Sequence, residues 1–157
     1  MNIDEYQSYV ANGMLYVVPT RQLTGSGGII SVDSILMAPI SLPLQERSAA
    51  ETLKLIQSGV SKSTGYTIGL GEAPVGSLVN TRVSIGASAE PARDVLARLF
   101  ASISRGPLSY RLYFDPGRRY YMLNVHSVQR EQMTGVPPTL GTQSQPSATN
   151  SHWSKKQ

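Results

Sequence analysis

The hydrophobic and polar positions of residues 82–125 predict a strand followed by a helix. Val83 and Ile85 alternate with polar neighbours, which is the period of a half-buried strand. Ser88 has the side chain of a helix N-cap, and a stripe of apolar residues at helical spacing comes after it. This stripe consists of Ala92, Val95, Leu96, Leu99 and Ile103. Because such a helix cannot bury its apolar face alone, we expect it to lie on a sheet.

The same stretch closes with a predicted β-hairpin. Gly106 and Pro107 end the helix, since glycine and proline both interrupt helical structure. Two alternating segments follow, 109–114 and 118–125, with the turn-forming sequence Asp-Pro-Gly between them. We therefore expect two antiparallel strands at this end of the folded chain.

A second unit of the same kind lies upstream, over residues 42–68. Ser48 and Glu51 have the S-x-x-E spacing of a capping box, and Gly65 ends the predicted helix. Pro43 lies in the strand before this helix and predicts an edge strand, because proline cannot donate a hydrogen bond to a neighbour. The apolar stripe of the helix consists of Leu53, Ile56 and Val60.

These two tandem βαβ-like units and the C-terminal hairpin predict an α+β fold. We expect two helices to cover one face of a small mixed β-sheet. Further strands are predicted at residues 14–18 and 29–37, because both segments are apolar and bounded by loop residues. Residues 71–80 are predicted to be a loop.

The composition along the chain also predicts its domain boundaries. A single α+β domain is expected over residues 14–130, preceded by a flexible arm at residues 1–13, which have little to bury. Residues 131–157 are rich in Pro, Ser, Thr and Gln and are predicted to be a disordered tail. Trp153 is expected to be exposed in that tail; a short motif that docks it on a partner is the alternative.

The composition argues against several classes of protein. The formal net charge is +4, but only 15% of the residues are charged, whereas nucleic-acid-binding domains concentrate Lys and Arg. The absence of cysteine excludes disulfides, thiolate catalysis and a lipidated cysteine in this sequence. No apolar run reaches the roughly 18 residues of a membrane span. The first residues are polar, so we expect membrane association only through a removed signal or a lipid anchor.

Candidate catalytic groups are scarce, and we predict neither an enzyme nor a cofactor, metal or small-molecule substrate site. His126 and His152 are the only histidines, and a lone histidine in a strand is more often solvated than a ligand. The carboxylates at Asp94, Asp115 and Glu131 are scattered and show no pairing for acid–base catalysis.

The predicted hairpin carries the candidate binding residues, because arginines and tyrosines interleave along it. These residue types anchor protein interfaces, and they also bind single-stranded nucleic acid by stacking and phosphate contact. Alternation along a strand predicts Leu112 and Phe114 on the inner face and their neighbours toward solvent or a partner. The predicted partner-binding residues are Arg111, Tyr113, Arg118, Arg119 and Tyr120.

Over residues 39–128 this order of elements resembles the short amino-terminal (STN-like) domain of secretins and TonB-dependent receptors. That family has a strand, a helix ending near T-G-Y, a loop, a strand leading into a second helix, and a final hairpin. The leading segment, residues 14–22, is similar to the PilL-type proteins of conjugative type IV pilus operons. The positions that carry the resemblance are Ser63-Thr64-Gly65-Tyr66, Ala92 to Leu99, Leu108, Tyr110 and Tyr121.

The resemblance implies a non-catalytic protein-interaction module in the periplasm, associated with the outer membrane. Its expected partner is a secretin, or a neighbouring component of a type IV pilus or secretion machine used in conjugation. Such a module would bind through sheet edges and exposed helices. The alternative is a nucleic-acid-binding module of a mobile element that uses the same Arg and Tyr residues. An enzyme of unfamiliar type is a third interpretation and requires a pocket of clustered polar groups.

Overall fold

The structure is a computed structural model, and its described residues are 6–11, 13–24, 26–31, 33–103, 106–115 and 117–128. The predicted tail at residues 131–157, with His152 and Trp153, lies outside these residues, as do residues 1–5 of the predicted arm.

The described strands are β1 Tyr6–Ala11, β2 Met14–Pro19, β3 Arg21–Leu23, β4 Ile29–Ser31, β5 Pro39–Ser48, β6 Thr67–Leu70, β7 Arg82–Pro91, β8 Leu108–Asp115 and β9 Tyr120–Ser127. The described α-helices are α1 Ala49–Thr64, α2 Val75–Asn80 and α3 Ala92–Ala101. A short 3-10 helix spans Ile35–Met37.

The predicted α+β class is confirmed, with its strands divided among several sheets. Strand β9 pairs in parallel with β6 and antiparallel with β8, giving the mixed sheet β6-β9-β8. Strand β5 pairs antiparallel with β7 in a separate sheet, and β1-β2 and β3-β4 are antiparallel pairs. The single sheet that we expected is therefore corrected to a mixed sheet and a β5-β7 pair.

Helix α3 shows why one sheet is not enough. Its stripe of Val95, Leu96 and Leu99 is buried, and so are Ala97 and Phe100 to the side of that stripe. A helix buried over so wide a face needs cover on more than one side. Accordingly, α1 and α3 pack against each other, α1 contacts β5 and β6, and α3 contacts β7 and β8. The apolar residues of both sheets and both helices join in one connected core.

The flexible arm predicted at residues 1–13 is wrong for residues 6–11, which form β1. Tyr9 stacks on Tyr16 with ring centroids 5.2 Å apart. The Arg93 guanidinium lies over both rings and donates a hydrogen bond to the Tyr9 hydroxyl. This arginine is the second residue of α3, so a contact far along the chain fixes the N-terminal hairpin. Local composition does not reveal such a contact.

The start of α3 also differs from the prediction. Ser88 is not its N-cap, because β7 continues to Pro91 and the helix begins at Ala92. Pairing with β5 extends to the end of β7, where Pro39 lies opposite Pro91. Pairing with β5 therefore continues past residue 88 to Pro91, through a register shift at which Ala89 has a φ of 52°, and it overrides the local capping signal.

Two other segments are corrected. The strand predicted at residues 29–37 is β4 over Ile29–Ser31, followed by the 3-10 helix, whose first turn is capped by the Ser34 hydroxyl. The loop predicted at residues 71–80 contains α2, whose Leu78 is fully buried in the core. A single buried leucine on a short helix leaves no periodic pattern to recognise.

The edge strand predicted from Pro43 is confirmed, since β5 pairs only with β7 within the described residues. Pro43 lies at a β-bulge, where the register shifts between Leu42 and Gln45. A bulge tolerates a residue that lacks a backbone N–H.

The predicted capping box at the start of α1 is also confirmed. The Glu51 amide donates to the Ser48 hydroxyl oxygen at 3.2 Å, and the Ser48 amide donates to the Glu51 carboxylate at 2.9 Å. The Ser48 backbone amide, and then its hydroxyl, hold the pKa of the Glu51 carboxyl below its usual value.

Ser48→Ala should lower the free energy of unfolding by about 1 kcal/mol at neutral pH, because one amide of the first turn loses its acceptor. Urea denaturation followed by circular dichroism measures this change. Ser58 is exposed in the middle of the same helix and provides the matched control as Ser58→Ala. Equal losses in the two variants would contradict the capping role.

The capping box also makes stability depend on pH. Since the pKa of Glu51 is lower in the folded chain than in the unfolded chain, its contribution is present above the unfolded pKa of 4.5. That contribution is lost as the pH falls through the lower, folded pKa. The stability advantage over Glu51→Gln should therefore shrink on acidification, as urea titrations at a series of pH values would measure. An advantage that does not change with pH would refute this assignment.

Candidate protein-interaction surface

Strand β8 separates its side chains into two faces. Tyr110, Leu112 and Phe114 are half-buried, and Tyr110 and Leu112 pack against the core. Arg111 and Tyr113 are exposed on the opposite face. The inward orientation of Leu112 and Phe114 and the outward orientation of Arg111 and Tyr113 are therefore as predicted. Burial raises the pKa of the Tyr110 hydroxyl, which fits its inner position.

The register between β8 and β9 places residues of β9 beside the exposed residues of β8. Tyr113 lies opposite Met122, and Arg111 lies opposite Asn124. Tyr120, the first residue of β9, lies opposite the exposed Asp115. We call Arg111, Tyr113, Tyr120, Met122 and Asn124 the outer face. Tyr113 is 46% exposed and Met122 is 37% exposed.

The two arginines of the β8–β9 turn have different surroundings. The Arg118 side chain is 85% exposed, and its Nε lies 3.8 Å from Asp115 Oδ2. Such an exposed pair contributes little stability and leaves the guanidinium available. The Arg119 guanidinium lies 4.7 Å from the centre of the Tyr66 ring. Of the two, Arg118 is therefore the freer donor for a partner.

An aromatic cluster supports the turn from the inner side. Phe114 stacks on Tyr121 with ring centroids 4.5 Å apart, and Tyr66 meets both rings edge-on. Burial, followed by the neighbouring Tyr66, raises the pKa of Tyr121. Sequence analysis did not place Tyr66 at the candidate site, although it belongs to the T-G-Y sequence at the end of α1.

Gly69 in β6 and Gly71 just after this strand shape the outer face. A Cβ atom at Gly69 would lie 2.0 Å from the Tyr120 hydroxyl oxygen, and one at Gly71 would lie 2.1 Å from Asn124 Oδ1. The Tyr120 side chain therefore lies across β6 in space that an alanine would fill. The Asn124 side chain is held by the Glu72 amide, which donates to its Oδ1 at 3.1 Å.

The outer face adjoins an open strand edge. Strand β8 pairs with β9 alone among the described strands, so its other edge has no strand partner there. No known protein family, curated protein or solved structure matches this chain. The possible chemistry of the surface therefore follows from its own residues.

The residues and the strand edge of this surface are of kinds that can contact another polypeptide. Exposed tyrosine and methionine offer apolar contact area, and arginine offers several fixed hydrogen-bond donors. An open strand edge offers backbone donors and acceptors to an extended segment. Together, the outer face and the β8 edge have the chemical features of a protein contact surface.

The described residues contain neither a metal-binding cluster nor a membrane-spanning helix. No group of three or more His, Cys, Asp or Glu residues is placed to hold a metal ion among the residues that the structure describes. None of the helices described there is long and apolar enough to cross a membrane.

Proposed function

We propose that this chain is a non-catalytic protein-interaction module of a type IV pilus or secretion machine. Its partner would be an outer-membrane secretin or a neighbouring component, met in the periplasm. The observation that carries the proposal is the exposed outer face beside an open β8 edge. No cofactor or small-molecule substrate is part of this proposal.

The order of elements supports the family context of the proposal. Strand β5 leads into α1, which ends at Thr64 before Gly65-Tyr66, and β7 leads into α3. The hairpin β8–β9 closes the described chain. This is the order of elements that suggested an STN-like domain, with α2 added between β6 and β7.

The composition of the outer face supports protein as the partner. Tyr113 and Met122 lie opposite each other and are exposed, Arg111 lies two positions before Tyr113 on β8, and Arg118 lies in the adjoining turn. Interfaces commonly have an aromatic or methionine centre with arginine and polar residues around it.

A nucleic-acid-binding module would need free cations on the same surface. Arg118 faces Asp115 across 3.8 Å, and Arg119 lies on the Tyr66 ring. The Asp115 carboxylate beside Arg118 would repel a phosphate backbone, and Arg119 is already engaged by Tyr66, which favours protein over single-stranded DNA. Binding to single-stranded DNA remains an outcome that the experiment below must register.

Arg118→Glu combined with Arg119→Glu should weaken binding to the purified secretin of the pilus operon by about tenfold or more, since charge reversal at an interface is costly. Equilibrium binding by surface plasmon resonance measures the effect. The matched control is Lys54→Glu with Lys62→Glu, which changes the net charge equally at exposed positions of α1. Circular dichroism would establish that both variants keep their secondary structure.

If the hairpin variant binds the secretin as the parent does, the hairpin is not the contact surface. The nucleic-acid alternative would be supported if the parent chain does not bind the secretin but binds single-stranded DNA, with an affinity that falls steeply as the salt concentration rises.

A further inference from the structure

A groove of about 950 Å³ lies between the N-terminal hairpin and the mixed sheet. Its walls include every residue of β2, Met14–Pro19, and five consecutive residues of β8, Leu108 to Leu112. Alternate side chains of a strand point to opposite faces, so a cavity lined by every residue of a segment meets the edge of that strand. The groove therefore lies between two strand edges.

Both of these edges are open. Strand β2 pairs only with β1, and β8 pairs only with β9, among the strands that the structure describes. An open edge presents backbone N–H and C=O groups that another extended backbone can satisfy. A compact ligand without a backbone would leave many of these groups unsatisfied, so the edges favour a peptide as the occupant.

The side chains of the groove add apolar contact area. Leu15 and Val17 are 69% and 61% exposed on β2, and Ile29 is 62% exposed beside them. On the opposite wall, Leu108 and Leu112 are half-buried and pack against the core. Apolar side chains at alternate positions of an entering strand would cover these walls.

The charged side chains that line the groove indicate which charge its occupant has. Arg21 and Arg111 both line it, and neither makes an ion pair within the described residues. Asp33 is the one acidic residue among the groove-lining residues described. The excess of guanidinium groups complements carboxylates on the occupant.

We propose that this groove receives an extended segment of the partner protein, which adds to the edge of β8 as a new strand. The segment has apolar side chains at alternate positions and at least one acidic residue. This inference rests on the proposed function and specifies the groove and the strand edge at which the partner binds.

The test uses the full chain and a fluorescein-labelled heptapeptide that alternates valine and threonine and has a glutamate at each end. Fluorescence anisotropy should detect saturable binding. Val17→Asp should weaken peptide binding by about tenfold, because a charged carboxylate replaces an apolar side chain that lines the groove. The matched control is Val10→Asp, since Val10 is similarly exposed on the same hairpin but does not line the groove. Binding by this control should equal that of the parent.

A second peptide separates strand addition from simple apolar binding. It has the same side chains, with alternate backbone nitrogens methylated so that their donors are lost. We expect it to bind at least about tenfold more weakly. Equal binding of the two peptides would overturn strand addition. No binding of either peptide would overturn the proposal, as would equal losses in the two aspartate variants.

Two other occupants would also overturn it. If the parent fails to bind the peptide but a chain ending at residue 130 binds it, the chain's own C-terminal segment competes for the groove. If peptide binding disappears as sedimentation shows the chain dimerising, a second copy is the occupant. In either case secretin binding by the β8–β9 hairpin is tested separately, because the Arg118 and Arg119 variant measures it.

Discussion

Leu99→Ala is expected to lower the free energy of unfolding by about 2 to 5 kcal/mol. Leu99 is completely buried in α3, within the core that both helices and both larger sheets share. Alanine removes most of this side chain, and the surrounding structure cannot fully close the cavity. Urea denaturation followed by circular dichroism would measure the loss as a lower midpoint of a single transition.

The same experiment tests whether the two helices share one core. Leu53→Ala in α1 should destabilise the same single transition, since Leu53 is also fully buried. Leu55 is 39% exposed on the same helix and serves as the control, for which we expect a much smaller loss. Two separate transitions, each shifted by one of the buried-leucine variants, would contradict a shared core.

The second large effect is expected at Arg47, a charged residue that is only 6% exposed. Its guanidinium donates to the carbonyl oxygens of Pro43 and Ile85, and its Nε donates to the Gln45 oxygen at 3.4 Å. These carbonyls lie around the β5 bulge, where the regular ladder is interrupted. The side chain therefore supplies hydrogen bonds that the bulge removes from the sheet.

Arg47→Ala should lower the free energy of unfolding by about 1 to 3 kcal/mol, because three carbonyl groups lose their donor and the contact with the Ile85 oxygen is buried. Chemical denaturation measures this loss. Arg82→Ala is the control, since Arg82 makes an exposed ion pair with Glu46 at 3.4 Å on the same pair of strands. We expect that control to lose no more than about 1 kcal/mol. Similar losses in both variants would show that Arg47 does not stabilise the bulge.

The parts of the fold that the sequence predicted well are those with local signals. Helix α1 begins after Ser48 and ends before Gly65, because a capping box and a left-handed glycine with φ of 72° act within a few residues of each end. Helix α3 begins later than Ser88 suggests, because pairing between β5 and β7 is not a local property. The stacking of Arg93 on Tyr9 could not be predicted for the same reason.

The candidate site also has features that a local pattern predicts and features that depend on contacts distant in the chain. Strand alternation was sufficient to predict Arg111 and Tyr113 outward. The position of Tyr120 across Gly69 depends on parallel pairing between β6 and β9, which no pattern in either strand reveals. The groove depends on β2 and β8, two strands distant in the chain, and its side chains look ordinary in sequence.

The central claim is that the outer face contacts a pilus or secretion-machine protein. Site-specific photo-crosslinking from a benzophenone amino acid at Tyr113, in cells that carry the whole machine, tests it most directly. The same group at Leu44, which is 77% exposed on β5, is the control. We predict a crosslink to the secretin or a neighbouring component from position 113 and not from position 44. Crosslinks from position 113 to nucleic acid alone, or to no machine component, would contradict the claim.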